Sequence, residues 1–563
     1  MKDQIKKTVR QAVEKLYPDV EVDFSVDYAP EITGADLATN VAMILAKKVG
    51  RKPMDIAEEI TREIGKIREI EVEVALPGFI NFKIQINPAE ILQEVAARGD
   101  KYGGLISGHK NEKVLVEYFQ PNIAKPLHIG HMRSAVIGDC LYRLEKLFSK
   151  TVESDTHMGD WGTQFGILLY GYKKWGDDSV IKKDPINELN QLYIRANAEI
   201  EAHPETKEQA KAEFVKLEQG DKENRRIWKQ FVDWSLEKFS GIYELLDIHR
   251  HEHNWPESFY EDKMPAIVES LEQKGLLKES QGAKIVDLSE YSLGTAVVIK
   301  SDEGTTYLLR DLATFIYRKK QGFTKQLYVV DVRQKHAFEQ LFKILELMGQ
   351  WKLGEGEHID YGFMSLPTGA LSTRKGQIVA LEDVVEEATN QAARIIAEKN
   401  SDLKDSKQVA RDVAIGALKY FDLSHNRHSN IVFDWDRALD FSGNSGPYLM
   451  YTHARIKSIL RKAEDKPKIK EPEYRHEREI TLLKLLRKFP WETAASAGSA
   501  TPSILADYLY KLVSEFNVYY QEVQILKEED KILRTSRLAL IAGIAQVLKN
   551  GLYLLGIKAP EEM

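Results

Sequence analysis

Hydrophobic and polar positions near the start of the chain follow both helical and strand-like periods. Apolar residues recur every three or four positions over 2–17, 40–50 and 55–66, which predicts three amphipathic helices. The segments 21–26, 67–75 and 79–86 are strand-like, and Leu-Pro-Gly joins the last two. These patterns predict a small α+β unit over residues 1–110.

A second pattern begins with the apolar run at 113–119, after which strand-like and helical segments alternate. Helical spacing of apolar residues predicts one amphipathic helix over 127–149. Strand-like runs return at 283–288, 295–301 and 326–332. Alternation of this kind is typical of a parallel sheet with crossover helices, so we expect an α/β domain over 111–400. Within it, the charged, helical stretch 171–247 is interpreted as a helical insertion.

The last part of the chain, from about residue 401, has a helical pattern throughout. We therefore expect an all-α helical bundle over 401–563.

Composition narrows the class of protein. The length of 563 residues suits three or four domains. The net charge of −7 taken alone argues mildly against a nucleic-acid partner, although a local basic surface stays open. The single cysteine, Cys140, excludes an internal disulfide and a multi-cysteine zinc site, and it suits the cytoplasm. The sequence contains neither an apolar run of about 18 residues nor a signal-peptide core, so we expect no membrane association.

Candidate chemistry is concentrated in residues 121–135, PNIAKPLHIGHMRSA. His128 and His131 are three residues apart, and Pro126 suits the first turn of a helix. This places both imidazoles at a helix N-terminus beside the carboxyl end of a strand, where anions bind. Gly130 would let a flat ring approach the backbone. The pattern predicts a nucleotide triphosphate site, and the alternative is a pair of surface histidines.

The same string resembles the HIGH signature of class I aminoacyl-tRNA synthetases, and residues 122–139 resemble the arginyl-tRNA synthetases in particular. That resemblance implies a Rossmann-like catalytic domain, an additional N-terminal domain and a helical anticodon-binding domain. It further implies that His128, Gly130 and His131 bind ATP, and that both histidines act in catalysis.

Residues 364–376, MSLPTGALSTRKG, resemble the KMSKS loop in its arginyl form. The first lysine of that pattern is Ala370 here, and the resemblance implies that Lys125 replaces a missing lysine in catalysis. The loop residues implied for ATP binding or catalysis are Ser372, Thr373, Arg374 and Lys375.

Three further segments resemble the arginine-binding parts of the family. Tyr307 and Asp311, in YLLRD, are spaced to share one helical face, and PESFYEDK supplies Glu257. A planar guanidinium requires carboxylates in matching geometry, which Glu257 and Asp311 provide. Asn122 is implied for the α-amino or carboxylate end of arginine, and Gln334 for both arginine and ATP.

The flanking regions resemble the tRNA-binding parts of the family. Phe79 and Asn81 are implied to contact the D-loop corner of tRNA, although Phe79 as a core residue is an open alternative. The implied anticodon contacts are Tyr451, Arg455, Tyr520 and Met563.

The resemblance thus implies ATP with Mg²⁺, L-arginine and tRNA(Arg) as substrates, and we expect a monomer with no tightly bound metal. Two alternatives stay open. One is a HIGH-type synthetase for another amino acid or a small nucleotidyltransferase, and the other is a tRNA-binding relative without catalytic activity.

Overall fold

The computed structural model describes residues 2–30, 33–67, 69–104, 110–365, 380–400 and 403–563. The chain forms two compact units, Met1–Ile91 and Leu92–Met563. Among the described residues, no helix is long and apolar enough to cross a membrane.

The first unit is a four-stranded antiparallel sheet with helices packed against it. Its helices are α1 (Lys2–Leu16), α2 (Val41–Val49) and α3 (Pro53–Ile64), and α4 (Pro88–Arg98) runs across the unit boundary. Its strands are β1 (Val26–Tyr28), β2 (Leu37–Thr39), β3 (Ile70–Ala75) and β4 (Phe79–Ile84), in the order β1-β2-β4-β3. The three predicted helices and the last two predicted strands are confirmed. The strand predicted at 21–26 is wrong except at its final residue, and β2 was not predicted because it is only three residues long.

The second unit is built around a parallel sheet in the order β11-β10-β5-β6. Its strands are β5 (Lys110–Glu117), β6 (Ser149–Asp155), β10 (Lys325–Asp331) and β11 (Gly356–Tyr361). The chain moves outward in one direction from β5 to β6 and in the other from β10 to β11. The order therefore reverses between β5 and β10, and ligands bind at the carboxyl end of such a reversal.

Helices and small sheets connect these strands. They are α5 (Ile129–Glu145), α6 (Thr163–Trp175), α7 (Asp178–Ile181), α8 (Pro185–Ala202), α9 (Thr206–Glu218), α10 (Lys222–Leu246), α11 (Met264–Gln273), β7 (Leu277–Ser280), β8 (Ala283–Asp287), β9 (Thr295–Ile299), α12 (Tyr307–Lys320), α13 (Lys335–Leu347) and β12 (Met364–Ser365). Helices α6 to α10 follow one another along the chain after β6, with no strand between them, and they are called the helical insertion below.

The strand-like segments 283–288 and 295–301 were expected in the parallel sheet. This expectation is wrong, because β8 and β9 lie outside that sheet. They pair antiparallel with each other, and β7 pairs antiparallel with β8 in a separate three-stranded sheet. The connections within this sheet are short, and parallel pairing requires a crossover of a dozen or more residues. The short connections therefore explain why these three strands pair antiparallel with one another.

In the described remainder of the chain, the regular elements are helices and one short strand, β13 (Ile431–Val432), which pairs with β12. Its helices are α14 (Leu381–Lys399), α15 (Ser406–Leu423), α16 (Trp435–Ala438), α17 (Gly446–Lys462), α18 (Glu477–Gly498), α19 (Pro502–Glu522) and α20 (Lys531–Leu554). The predicted α/β class with a helical C-terminal region is confirmed. This region packs into the same compact unit as the parallel sheet.

Candidate active site

The two histidines of the HIGH segment form the N-terminal cap of α5. His128 is the N-cap residue, and its Nδ1 accepts a hydrogen bond of 3.0 Å from the Gly130 N–H. His131, three residues on, returns the contact, since its Nδ1 accepts from the His128 N–H at 3.2 Å. The helix therefore begins at Ile129, and our placement of Pro126 in its first turn is wrong. Pro126 lies two residues before the cap because the imidazole of His128 does the capping.

This arrangement favours the neutral form of both imidazoles. Burial lowers the pKa of His131 to about 3, and the neighbouring His128 and Lys125 act in the same direction. Burial and then Arg333 lower the pKa of His128. Because each Nδ1 accepts a backbone N–H, the proton of each ring resides on Nε2. The pair presents two neutral N–H donors beside a helix N-terminus, which suits an anionic oxygen.

Gly130 has a local structural reason to be glycine. A Cβ at this position would lie 2.8 Å from Cε1 and 2.9 Å from Nδ1 of His128. Any side chain would therefore displace the imidazole that caps the helix. The approach of a flat ring to the backbone at Gly130 stays a prediction.

Lys125 lies three residues before the cap and is only partly exposed. Burial lowers its pKa. Its Nζ lies 5.4 Å from the centroid of the Tyr193 ring, on α8 of the helical insertion. The sequence offered no indication of this contact, since 68 residues separate the two positions.

The predicted loop residues Ser372, Thr373, Arg374 and Lys375 lie outside the described residues. The first described residue after that segment is informative, because Ala380 pairs with His128 in an antiparallel bridge. Leu381 N–H also donates to the Leu127 carbonyl at 3.2 Å. The chain thus re-enters the described structure directly beside the histidine cap.

A second group of polar residues lies where Asn122, Gly159 and Glu257 meet. A Cβ at Gly159 would lie 2.4 Å from Asn122 Oδ1 and 3.7 Å from Glu257 Oε1. The backbone sets this proximity, because Asn122 pairs with Gly159 and the Glu257 N–H donates to the Met158 carbonyl at 3.1 Å. Asn122 and Glu257, 135 positions apart in the sequence, are therefore neighbours, as the resemblance implied.

Tyr307 and Asp311 lie in the first two turns of α12, as their spacing predicted. Tyr307 is 60% exposed, and its hydroxyl lies 3.6 Å from where a Cβ at Gly162 would stand. Asp311 is electrostatically coupled to Glu257, which connects the helix face to the second acid. Four predicted residues, Asn122, Glu257, Tyr307 and Asp311, thus surround one site.

The acids of this site are held where charge is costly. Burial raises the pKa of Glu257 to about 7, against the opposing effects of Arg310 and His157. Burial also raises the pKa of Asp311 to about 6. Within the described structure, Glu257 Oε2 has no hydrogen-bond partner. An additional cation with several N–H donors would satisfy both the charge and this oxygen.

Arg310 was not singled out by the sequence analysis, although it lies between Tyr307 and Asp311. Its Nε forms an ion pair with Glu257 Oε2 at 3.5 Å without a hydrogen bond, and its side chain is 4% exposed. Its guanidinium stacks on the Tyr307 ring at 4.8 Å and donates to Thr305 Oγ1 at 3.0 Å. Arg310 therefore orients Tyr307 and reduces the negative charge of the pocket.

Glu117, Asp155 and His157 form a cluster of potential metal ligands at the carboxyl ends of β5 and β6. Arg318 occupies the position a cation would take, because its Nη1 contacts Glu117 at 2.5 Å and its Nη2 contacts Asp155 at 2.5 Å. All three side chains are buried. These acids therefore fit an internal ion pair better than a metal.

Gln334 lies at the carboxyl end of β10, as the N-cap residue of α13, and is exposed. Its neighbour Arg333 influences the pKa of His128, so this end of β10 faces the histidine cap. The two contacts predicted for Gln334 stay predictions.

Three of the residues implied at the anticodon converge in the helical region. The Arg455 guanidinium lies 4.7 Å from the Tyr451 ring centroid and 5.8 Å from that of Tyr520. It also donates to Asn517 Oδ1 at 2.8 Å. Asn517 was not predicted, and only the packing of α17 on α19 brings it to Arg455.

Met563, the fourth residue implied at the anticodon, lies beside Asn400. The chain preceding it packs along a different face of α17, where the Pro560 carbonyl contacts His453 Nδ1 at 2.8 Å. The Met563 carbonyl lies 3.5 Å from Asn400 Nδ2.

In the first unit, Phe79 is 36% exposed, so the core alternative does not hold, whereas Asn81 is 7% exposed. Of this pair, Phe79 is the accessible one.

Comparison with known proteins covers nearly the whole chain. Three family models match: the arginyl tRNA synthetase N-terminal domain over residues 3–84, the class I (R) tRNA synthetase catalytic domain over 92–435, and the DALR anticodon binding domain over 449–563.

Individual relatives agree with these matches. An arginine–tRNA ligase of Alkaliphilus metalliredigens is 40% identical over 92% of both chains, and one of Clostridioides difficile is 39% identical over 99% of both. The arginyl-tRNA synthetase structure of Thermus thermophilus superposes with a TM-score of 0.84 at 26% identity over 100% of both chains. That of Plasmodium falciparum gives 0.85 at 25% identity, over 100% of this chain and 99% of the other. By sequence and by structure, this chain belongs to the arginyl-tRNA synthetase family.

Proposed function

We propose that the protein activates L-arginine with ATP and transfers it to the terminal ribose of tRNA(Arg), releasing pyrophosphate and AMP. The observation that carries this proposal is the meeting of two sites in one unit. One is a neutral histidine pair at the start of α5, suited to phosphates, and the other is a buried acidic pocket suited to a guanidinium.

In the first step, a carboxylate oxygen of arginine bonds to the α-phosphorus of ATP, and the bond from that phosphorus to pyrophosphate breaks. In the second, the 2′-hydroxyl of the tRNA attacks the arginyl carbonyl, loses its proton and displaces AMP. No protein nucleophile is required, so the chain acts by positioning the reactants and stabilising charge. Mg²⁺ accompanying ATP would neutralise phosphate charge.

We assign the phosphate side to His128, His131, Gly130 and Lys125. The neutral Nε2–H groups would donate to phosphate oxygens without requiring a change of protonation. Ser372, Thr373, Arg374 and Lys375 would act with them on ATP. The position of Ala380 beside His128 supports this assignment. Arg374 precedes Ala380 by six residues, and a chain of six residues spans at most about 20 Å. Gln334 would contact ATP and arginine from the end of β10.

We assign the guanidinium of arginine to Glu257 and Asp311, its face to Tyr307, and its α-amino or carboxylate end to Asn122. Two buried acids explain how a cationic side chain is selected, because neutral analogues would leave those acids unpaired. The same pocket argues against a synthetase for an uncharged amino acid.

We assign tRNA contacts to both ends of the chain. The D-loop corner would meet residues 1–110, through Phe79 and Asn81. The anticodon would meet residues 401–563, with bases stacking on Tyr451 and Tyr520 beside Arg455, and with Met563 as a further contact. We further propose a cytoplasmic monomer, since one chain supplies every residue assigned here and its single cysteine is buried.

The test is tRNA charging by the purified protein with each of the twenty amino acids in turn. Arginine alone should be attached. Charging of a different amino acid would overturn the assignment of the acidic pocket. Binding of tRNA without any charging would favour the alternative of a catalytically inactive relative.

A further inference from the structure

The helical insertion contributes a residue to the neighbourhood of the phosphate site. Tyr193 lies in α8, and its ring centroid is 5.4 Å from Lys125 Nζ, within the range of a cation–π contact. Among the described residues, no carboxylate lies within ion-pair distance of that ammonium. The aromatic face is therefore the partner that the structure provides for the charge of Lys125.

The loop that carries Lys125 is attached to the same insertion by its backbone. Ala124 has a φ of 61°, a left-handed conformation that is costly for a residue with a Cβ. Its N–H donates to Ser235 Oγ at 3.0 Å, and this buried hydroxyl donates in turn to the Phe231 carbonyl on α10 at 2.8 Å. The insertion thus holds both the backbone before Lys125 and the ammonium at its end.

Tyr193 also lies close to the arginine side of the site. The pKa of Tyr307 is raised, first by burial and then by Glu257, with a smaller contribution from Tyr193. Lys125 in turn is close enough to His131 to act on its pKa. Tyr193 is therefore located between the ammonium near the histidine cap and the tyrosine of the acidic pocket.

We propose that Tyr193 is a positioning residue for arginine activation, whose ring holds the Lys125 ammonium in place for the phosphates of ATP. The inference deepens the proposed function and rests on it. It gives the helical insertion a part in the first chemical step. The aromatic face matters for this role, whereas the hydroxyl does not.

The experiment compares Tyr193→Leu and Tyr193→Phe in arginine-dependent ATP–pyrophosphate exchange, with tRNA present. Leucine removes the aromatic face, so kcat should fall by roughly tenfold, while phenylalanine should stay within about threefold of the parent. The KM for arginine should be unchanged in both. Trp175→Leu is the matched control, because Trp175 forms the same kind of contact with Arg195 on α8, at 4.2 Å. It should leave exchange unaffected.

A double-mutant cycle with Lys125→Met separates positioning from folding. If the ring acts through Lys125, Tyr193→Leu should cause no further loss of kcat in the Lys125→Met background. Equal losses in both backgrounds would overturn the proposal, as would phenylalanine performing as poorly as leucine. A raised KM for arginine with kcat unchanged would also overturn it, since Tyr193 would then serve Tyr307.

Failure of the proposed function would look different. If another amino acid supported exchange in place of arginine, the proposed substrate would be wrong. The same variants would then be assayed with that amino acid. The cycle with Lys125→Met would still decide the role of Tyr193.

Discussion

Burial in the acidic pocket disfavours the ionised forms of Glu257 and Asp311. Glu257 and Asp311 have pKa values raised by burial to about 7 and about 6. Without substrate, both therefore bind protons more readily than ordinary carboxyl groups. A bound guanidinium would favour their charged forms, so substrate binding and proton release are linked.

The first prediction concerns pH. Arginine binding requires ionised Glu257 and Asp311, so the KM for arginine should rise as pH falls from 8 through 7 to 6. The measurement is ATP–pyrophosphate exchange at saturating ATP across this range. An arginine KM that is constant between pH 8 and pH 6 would contradict the assignment of these acids.

The same shifts predict a stability effect of definite sign. A carboxyl group whose folded pKa exceeds its unfolded pKa stabilises the fold below the unfolded value, and this contribution is lost as pH rises through the folded pKa. The contribution of these two acids to the stability of the substrate-free protein should therefore be lost between about pH 4.5 and 7, and Glu257→Gln should lack the part due to Glu257. Thermal unfolding of both proteins, without arginine, measures the difference. An identical pH dependence would show that Glu257 does not titrate there.

The second prediction concerns the histidine cap. His131→Ala removes an Nε2–H donor and the Nδ1 that accepts from the His128 backbone, so kcat for exchange should fall on the order of 10²–10³-fold. His203→Ala, which removes an exposed histidine at the end of α8, is the control and should retain full activity. Comparable kcat values for both variants would remove His131 from the catalytic step.

At the scale of elements, α17 and α19 build a surface that neither helix has alone. Tyr451 and Arg455 are one turn apart on α17, and Tyr520 comes from α19. The Arg455 guanidinium lies within cation–π distance of both rings. Such a cluster suits unpaired bases, which stack on aromatic rings and on guanidinium planes.

The third prediction belongs to this surface. Arg455→Ala should raise the KM for tRNA(Arg), by roughly 5- to 100-fold if one base loses its stacking partner. The KM for arginine should not change, because the acidic pocket is untouched. Arg475→Ala is the control, since Arg475 is 59% exposed and pairs with Glu473 and Asp530 in the same helical region. A KM for tRNA that rises equally in both variants would indicate general electrostatic attraction instead.

At the scale of the whole molecule, a buried ion pair joins α5 to α15 of the helical C-terminal region. Arg133 lies two residues after His131, and its Nε donates to Asp422 on α15 at 2.9 Å. Both side chains are almost fully buried. Arg133 also donates to the carbonyls of Gly362 and Ser429, at 2.7 and 3.0 Å. This cluster connects the start of α5, the chain leading into β12, and α15.

The fourth prediction tests that connection. Asp422→Ala leaves the Arg133 charge buried and unpaired, which should lower the free energy of unfolding by about 3–5 kcal/mol. Asp412→Ala on the same helix breaks a more exposed pair with Lys558, at 3.0 Å, and should cost less than about 1 kcal/mol. Urea unfolding gives both values. Similar losses of unfolding free energy would show that the Arg133–Asp422 pair stabilises the fold no more than the exposed pair does.

Local sequence patterns were sufficient for most elements and for several site residues. Helical and strand periods located α1, α2, α3, α5 and β4 to within a few residues, because those periods depend only on which face is buried. Spacing also placed Tyr307 and Asp311 on one face of α12. The helix start at Ile129 was misplaced, since it depends on an imidazole cap that no propensity scale describes.

What the sequence determined by itself was most of the helices and strands, and the chemical types gathered in a few short segments. Tertiary structure alone decided which of them meet: Tyr193 with Lys125, Arg310 with Glu257, and Asp422 with Arg133. It also placed both histidines where the neutral form is favoured, and two acids where burial raises their pKa values. Pairing and desolvation arise from residues far apart along the chain, so they exist only once the chain has folded.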